Sequence, residues 1–182
     1  MIESIAVIFS ITYVILAAKQ NIWCWAFAAI SVLLYIYICF SAQLFAETGL
    51  QVFYLIMAAY GYYSWKKPQE PLMVNQWKTS SHLLIVLFGG ILAFMLGFYF
   101  ATYTNAEIPI VDSFTTVFSI IATYMVTQKI LENWLYWIII DTVSIYLYLH
   151  RDLQLTALLF AIYTIIAIIG YFSWLKKIKA NV

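Results

Sequence analysis

Residues 133–141 read NWLYWIIID and place an amide, two indoles and a carboxylic acid in an otherwise apolar stretch. On a helix, Asn133, Trp137 and Asp141 are four residues apart, and with Ser144 and Tyr148 they fall within an arc of about 80°. An amide both donates and accepts hydrogen bonds, and an indole offers a flat face for stacking. The pattern indicates a polar and aromatic stripe on one side of a cavity that binds a small molecule.

Two further apolar stretches carry similar stripes. The first contains Gln51, Tyr54 and Ala58, and a later one carries Phe160, Tyr163 and Ala167 at the same spacing. Asn21 and Trp25 form another pair four residues apart. The polar groups differ between the halves of the chain, as expected for a cavity that holds one asymmetric ligand. The candidate binding residues are therefore Asn133, Trp137, Gln51, Asp141, Trp25, Tyr54 and Tyr148.

Each candidate also has a structural interpretation. Asn133 can cap the helix that it begins, and Gln51 can bond a neighbouring helix. Asp141 can bond a tyrosine, although an ionisable group inside a membrane span usually marks function. Tryptophans near span ends commonly form interfacial belts, and we expect this of four of them. They are Trp23, Trp65, Trp134 and Trp174.

Catalytic chemistry is not indicated. The sequence has no His/Cys/Asp/Glu spacing typical of a metal site, no Gly-rich phosphate loop and no nucleophile–base pair. We therefore expect no enzyme activity and no metal or cofactor. Away from the span ends, the predicted membrane interior carries one acid, Asp141, and no relay of carboxylates or histidines. Passive transport of a neutral or weakly cationic small molecule fits better than proton-driven pumping.

The composition predicts an all-α integral membrane protein. The 182 residues are 65% hydrophobic and 9% charged, too few polar groups to cover a soluble domain. A net charge of +1 gives no reason to expect a nucleic-acid partner. Seven apolar segments have about the length that crosses a bilayer as helix. They cover about 2–18, 21–41, 46–65, 82–101, 112–128, 133–149 and 153–174.

Charges at the segment ends predict the orientation. With the connections counted alternately, every lysine falls on one side and Arg151 alone on the other. The positive-inside rule then places the N-terminus outside and the C-terminus in the cytoplasm. The lysines on the cytoplasmic side are Lys19, Lys66, Lys67, Lys78, Lys129, Lys176, Lys177 and Lys179.

An internal repeat relates the two halves. YGYYSWKK at 60–67 matches IGYFSWLKK at 169–177 with a shift of 109 residues, which also pairs Ser10 with Ser119. In the second segment of each half we expect a shift of 112, which pairs Trp25 with Trp137 across a three-residue insertion. A single extra crossing lets the second triplet start on the same side as the first, so the repeats are parallel.

This arrangement predicts four parts in the order three helices, one helix, three helices. The first repeat covers 1–65, a cytoplasmic linker 66–81, a linking helix 82–101 and the second repeat 112–178. The linking helix carries Gly89, Gly90 and Gly97, which allow close helix packing.

The pattern N-W-x-x-W-x-x-x-D at 133–141 and the stretch YLYLHRDLQLTALLFAIY resemble the PnuC transporters. NIWCWAFAAISVLLYIY and LFAETGLQVFYLIMAAYGYYSW in the first half resemble that family too, so the likeness covers about 15–178. It implies a 3+1+3 fold like that of SWEET carriers, a homotrimer, and uptake of nicotinamide riboside for NAD synthesis. It also implies facilitated diffusion, with trapping when a cytoplasmic kinase phosphorylates the substrate.

The resemblance also assigns roles. It places Asn133, Trp137 and Gln51 at the substrate, where an indole would stack on a cationic nicotinamide ring and amides would bond the carboxamide and ribose. Relatives that carry thiamine or riboflavin leave the vitamin open. A SWEET-like sugar carrier is a second interpretation, and an accessory subunit of a membrane complex is a third.

Overall fold

A computed structural model describes residues 2–66, 72–104 and 107–180 as a bundle of seven α-helices. Within these ranges there is no strand, only an isolated bridge between Asn75 and Ile130. The prediction of an all-α fold is confirmed. The helices are α1 (Ile2–Ala18), α2 (Cys24–Ser41), α3 (Phe45–Trp65), α4 (Thr79–Tyr103), α5 (Pro109–Thr127), α6 (Asn133–His150) and α7 (Gln154–Ala180).

Four of these helices, α2, α4, α5 and α7, are long and apolar enough to cross a membrane. The helix α1 is apolar but has 17 residues, slightly short for a full crossing. The stripes on α3 and α6 include Gln51 and Asp141, which make these helices less apolar. The chain is thus a multi-pass membrane protein, and the crossing of α1, α3 and α6 stays a prediction.

Six helices pack in a closed ring in the order α1, α2, α3, α5, α6, α7 and back to α1. Within the described ranges, α4 packs mainly on α5 and lies outside this ring. The His82 ring of α4 also reaches Tyr136 of α6, with 3.1 Å between Nδ1 and the tyrosine hydroxyl. A Cβ on Gly97 would lie 2.6 Å from the Cα of Ile110, so the absence of a side chain permits this close approach. This is the packing role expected for a glycine of α4.

Several boundaries differ from the predicted ones. The helix α4 begins at Thr79, so the linker predicted at 66–81 ends too late, and 67–71 with both its prolines lies outside the described residues. The first turn of a helix accommodates proline, because the amide hydrogen that proline lacks would have no partner within the helix there. The helix α5 accordingly begins at Pro109, three residues before its predicted start. Residues 72–78 dock on the turn before α6, where the Leu131 amide donates to the Asn75 carbonyl at 2.8 Å.

The local geometry repeats at 109 residues throughout, including in α2 and α6. Gln20 and Lys129 have φ values of 57° and 52° in the turns before these helices. The indole of Trp25 lies against Gly61, as the indole of Trp134 lies against Gly170. Trp25 therefore corresponds to Trp134, and the predicted pairing with Trp137 is wrong.

The predicted three-residue insertion is wrong for the same reason. Asn21 lies in the turn before α2, whereas Asn133 is the first residue of α6. The two asparagines occupy different places, and Asn133 corresponds to Cys24, where α2 begins.

Candidate functional site

A cavity of about 910 Å³ lies inside the ring of six helices. Its volume falls in the range of small-molecule sites, and its wall combines aromatic rings with a few polar groups, as such sites usually do. Side chains of all six ring helices contribute to the wall, including Tyr13, Trp25, Gln51, Ser119, Trp137 and Tyr163. The ring is thus built around a space for one ligand.

The cavity brings together six of the seven residues predicted from the sequence. Trp137, Asp141 and Tyr148 of α6 line it, and Asp141 is 3% exposed. Trp25 contributes from α2, and Gln51 and Tyr54 contribute from α3. The stripes of α3 and α6 therefore face the same space, which is the geometry their spacing predicted.

The structure does not place Asn133 with these residues. Its side chain is fully buried, and its Nδ2 donates to the Ile130 carbonyl at 2.6 Å. Its Oδ1 is buried too and has no hydrogen-bond partner within the described residues. Asn133 therefore ties the start of α6 to the preceding turn, and the expectation that it lies on the stripe facing the ligand is not met.

Ser10 and Tyr163 join the wall as a bonded pair that the sequence did not single out as a site. Their oxygens are 2.5 Å apart, and the Ser10 hydroxyl also donates to the Val7 carbonyl at 2.8 Å. With that proton used, Tyr163 donates to Ser10. The repeat gave the signal that could have found Ser10, since its partner Ser119 lines the same cavity.

Corresponding positions of the two halves carry different side chains. On α6, Trp137 and Asp141 face the cavity, and their counterparts on α2 are Ala28 and Val32. Gln51 of α3 likewise corresponds to Phe160 of α7. One wall thus offers an indole and a carboxyl group, and the other offers small apolar groups and an amide.

The cavity wall contains two acidic side chains. Asp141 lies in this wall, and Glu3 lies at one end, where it is exposed to solvent. Lysine, arginine and histidine are absent from the wall as far as the described residues define it. A bound anion would find no charged partner here.

Four tryptophans close the other end. Ring centroids are 5.3 Å apart for Trp25 and Trp65, 6.2 Å for Trp65 and Trp174, and 5.4 Å for Trp174 and Trp134. Trp65, Trp134 and Trp174 are buried, so the belt expectation is wrong for them, because their rings turn inward onto glycines and each other. Only Trp23 of the four expected belt residues is exposed, at 65%.

Polar contacts hold this tryptophan cluster to neighbouring backbone and side chains. The indole Nε1 of Trp174 donates to the Ala17 carbonyl at 3.1 Å. The Lys129 Nζ lies 4.6 Å from the ring centroid of Trp65, a cation–π distance. Burial lowers the pKa of Lys129, and the charge of Lys177 also lowers it.

The end near Glu3 is open by contrast. Leu155 lines the cavity there and is 85% exposed. Nearby, the Arg151 guanidinium donates to Asp112 at 2.5 Å and approaches Glu107 at 4.0 Å. The partly exposed Arg151–Asp112 ion pair joins the start of α5 to the turn between α6 and α7. It contributes at most about 1 kcal/mol to the stability of the fold.

A multi-pass helical bundle with a ligand-sized central cavity, open at one end, defines the class of membrane carriers. Residues 1–176 match the protein family described as "Nicotinamide mononucleotide transporter", and the chain belongs to this family. The resemblance to PnuC transporters is thereby confirmed. The family consists of transporters, which agrees with the expectation that the chain is not an enzyme.

Individual relatives agree with this assignment. The nicotinamide riboside transporter PnuC of Escherichia coli (strain K12) is 27% identical over 206 residues, covering 98% of this chain and 86% of that protein. Its counterpart from Neisseria mucosa is 24% identical and covers 99% and 74%. A crystal structure of the vitamin B3 transporter PnuC has the same fold, with a TM-score of 0.80, 22% identity and coverage of 100% and 83%.

Proposed function

We propose that this protein carries nicotinamide riboside across a bacterial inner membrane as a precursor for NAD synthesis. The supporting observation is the cavity wall, where Trp137 and Asp141 lie one helical turn apart with Gln51 also in the wall. A cationic pyridinium ring can stack on the indole, a contact that contributes about 0.5–2 kcal/mol. The Gln51 amide can bond the carboxamide or a ribose hydroxyl.

The family description names nicotinamide mononucleotide, whereas the relatives are named for nicotinamide riboside. These two ligands differ by one phosphate group, and the charged side chains of the cavity bear on which of them fits. A mononucleotide carries a phosphate, which proteins usually bind with arginine, lysine or a helix N-terminus. The described wall has two acids, Asp141 and Glu3, and no basic side chain. This favours the riboside over the mononucleotide as substrate.

The contacts between helices support a 3+1+3 arrangement of parallel repeats, similar to that of SWEET carriers. The pairs α1–α7 and α5–α3 correspond to each other under the 109-residue shift, as do α1–α2 and α5–α6. The helix α4 then provides the extra crossing between the repeats. We retain the repeats at 1–65 and 112–178, joined by the linker and by the linking helix, which spans Thr79–Tyr103 where 82–101 was predicted.

The orientation follows from the lysines. With the N-terminus outside and the C-terminus in the cytoplasm, the open end of the cavity at Glu3 faces outward. The tryptophan cluster then closes the cytoplasmic end. This conformation is the one that receives substrate from outside, and release requires Trp65 and Trp174 to separate.

Transport proceeds by facilitated diffusion, and a cytoplasmic kinase traps the product by phosphorylation. Asp141 is the single acid midway along a ring helix, and the described wall contains no relay that would couple transport to protons. The assembly is a homotrimer in the membrane, as the resemblance implies.

Thiamine is the second candidate substrate, favoured by the same acid. Thiamine also carries a positively charged aromatic ring, whereas riboflavin and sugars have no positive charge for Asp141 to attract. A SWEET-like sugar carrier therefore fits this wall less well.

A binding titration of the purified protein tests the proposal. Nicotinamide riboside, its mononucleotide, thiamine, riboflavin and glucose are titrated while tryptophan fluorescence is followed. We expect saturable quenching by the riboside and little by the mononucleotide or glucose. Binding of riboflavin or glucose in preference to the riboside would contradict the proposed function.

A further inference from the structure

Asp141 occupies an unusual position in the cavity. It lies midway along α6, one turn beyond Trp137, and 3% of its surface is exposed. The corresponding residue of the other repeat is Val32, which lines the same cavity. The carboxyl group is therefore a one-sided feature that the shared architecture of the repeats does not require.

The surroundings offer this carboxyl group no opposite charge. No lysine, arginine or histidine belongs to the wall within the described residues, and Glu3, the other acid, lies at the open end. Taking a carboxylate out of water costs several kcal/mol unless a partner compensates it. A positively charged ligand beside Trp137 would be that partner, and because Asp141 is shielded from bulk solvent, the attraction is stronger than in water.

A purely structural role would need a hydrogen-bond partner such as a tyrosine. Tyr163 is the tyrosine whose electrostatic environment includes Asp141, but its hydroxyl lies 2.5 Å from Ser10 and is already paired. The geometry thus leaves the carboxyl group available to a ligand.

We propose that Asp141 determines specificity by charge, so that the cavity prefers ligands with a positively charged aromatic ring over neutral rings of the same shape. This inference rests on the proposed function of the cavity as a substrate site. The substrate class is then the aromatic cations, of which nicotinamide riboside and thiamine are two. Neutral isosteres stack on Trp137 equally well but lose the attraction to Asp141.

Two pairs of ligands isolate the charge. Benzamide riboside replaces the ring nitrogen of nicotinamide riboside with carbon and is neutral, and deazathiamine is the neutral counterpart of thiamine. Dissociation constants are measured by calorimetry for the parent protein and for Asp141→Asn, Asp141→Glu and Glu47→Gln. Glu47 is an exposed acid outside the cavity wall, so its amide variant is the matched control.

We expect the parent and Glu47→Gln to prefer the cation of a pair by about tenfold or more, since a charge pair in a shielded site is worth at least this much. In Asp141→Asn this preference should fall to about twofold or less, with the neutral ligand bound as before. Asp141→Glu should retain the preference, which separates charge from folding.

The outcomes separate the two proposals. Preference for the cation in the thiamine pair, with no binding of either nicotinamide compound, would sink the proposed substrate and leave the role of Asp141 intact. Equal binding of cation and neutral isostere by the parent would overturn the role of Asp141. So would an Asp141→Asn variant that keeps the parent's preference.

Discussion

Trp65 and Trp174 pack against each other at a ring-centroid distance of 6.2 Å, although 109 residues separate them along the chain. Trp65 is the last residue of α3, Trp174 lies six residues before the end of α7, and the two correspond to each other in the repeat. The two halves therefore meet through the same residue type at the closed end of the cavity. Each tryptophan also holds a second indole, Trp25 or Trp134, that lines the cavity.

The glycines beneath these indoles give the first prediction. A methyl group on Gly170 would lie 2.8 Å from ring atoms of Trp134, and one on Gly61 would overlap the ring of Trp25. Gly170→Ala should destabilise the protein by about 1–3 kcal/mol, the usual cost of overpacking. Thermal unfolding of the detergent-solubilised protein measures this as a lower Tm.

Gly90→Ala is the matched control, because apart from the adjacent backbone of its own helix no described atom lies within 4 Å of the position of its Cβ. Alanine favours a helix over glycine by about 0.5–1 kcal/mol, so this variant should keep or raise the Tm. Equal Tm values for Gly170→Ala and Gly90→Ala would show that Trp134 does not pack on Gly170.

The second prediction concerns the stacking surface. Trp137→Ala should weaken binding of nicotinamide riboside by about thirtyfold, or about 2 kcal/mol, since truncation of a central aromatic anchor has this effect. Trp137→Phe should keep part of the affinity because a smaller ring remains. Equilibrium titration measures both dissociation constants.

Trp23→Ala is the control for this loss, because Trp23 is 65% exposed and does not line the cavity. Trp174 is unsuitable as a control, since its buried ring supports the tryptophan cluster. If Trp137→Ala binds as the parent does, Trp137 serves packing and the proposed site is wrong.

The helices and most of the cavity residues could be predicted from the sequence, because apolar runs and the spacing of polar residues depend only on residues close together in the chain. Apolar runs and their polar breaks predicted the helix ends within three residues, except that α7 continues six residues beyond its predicted end. The four-residue spacing of Trp137 and Asp141 predicted that they share a face of α6. The stripes of α3 and α6 then had to turn inward, because polar groups are expensive in lipid.

What the sequence could not predict depended on contacts between distant helices. In the sequence, Trp25 was paired with Trp137 because an asparagine precedes each of them by four residues. The packing of indoles on Gly61 and Gly170 shows that Trp134 is the counterpart of Trp25. Tryptophans near span ends are usually found at the membrane interface, which is why an interfacial belt was predicted. The burial of Trp134 depends instead on its contact with Gly170 on a different helix. Asn133 fits the cavity stripe by spacing, yet a local bond to Ile130 draws its amide aside.

The third prediction follows from that bond. Asn133→Ala removes the side-chain donor to the Ile130 carbonyl, which keeps the Asn133 backbone amide as a donor, and should lower stability by about 0.5–1.5 kcal/mol, the net contribution of one hydrogen bond. The folded protein should still bind nicotinamide riboside more tightly than Trp137→Ala does, because Asn133 is outside the cavity wall. Tm and dissociation constant, measured on the same samples, separate these effects. An unchanged Tm with a large loss of affinity would instead place Asn133 at the ligand.

The fourth prediction is the orientation. The lysines at the ends of the predicted spans place the C-terminus in the cytoplasm and the open end of the cavity outside. A reporter that is active only in the cytoplasm, fused after residue 182, should therefore be active, and one that requires the periplasm should be silent. The reverse pattern would make the open end of the cavity face the cytoplasm.

The last prediction concerns the driving force. Proteoliposomes that contain the protein should equilibrate nicotinamide riboside without accumulating it, because Asp141 is the single acid midway along a ring helix and no basic partner lines the described wall. Imposed proton or sodium gradients should leave the final level unchanged. Enclosing a riboside kinase with ATP should then raise total internal label well above the external level, since phosphorylation removes the transported species. Trp137→Ala liposomes with the same kinase are the matched control and should fill more slowly at low substrate. Accumulation of unmodified riboside against its gradient, with no kinase present, would show coupled transport and refute facilitated diffusion.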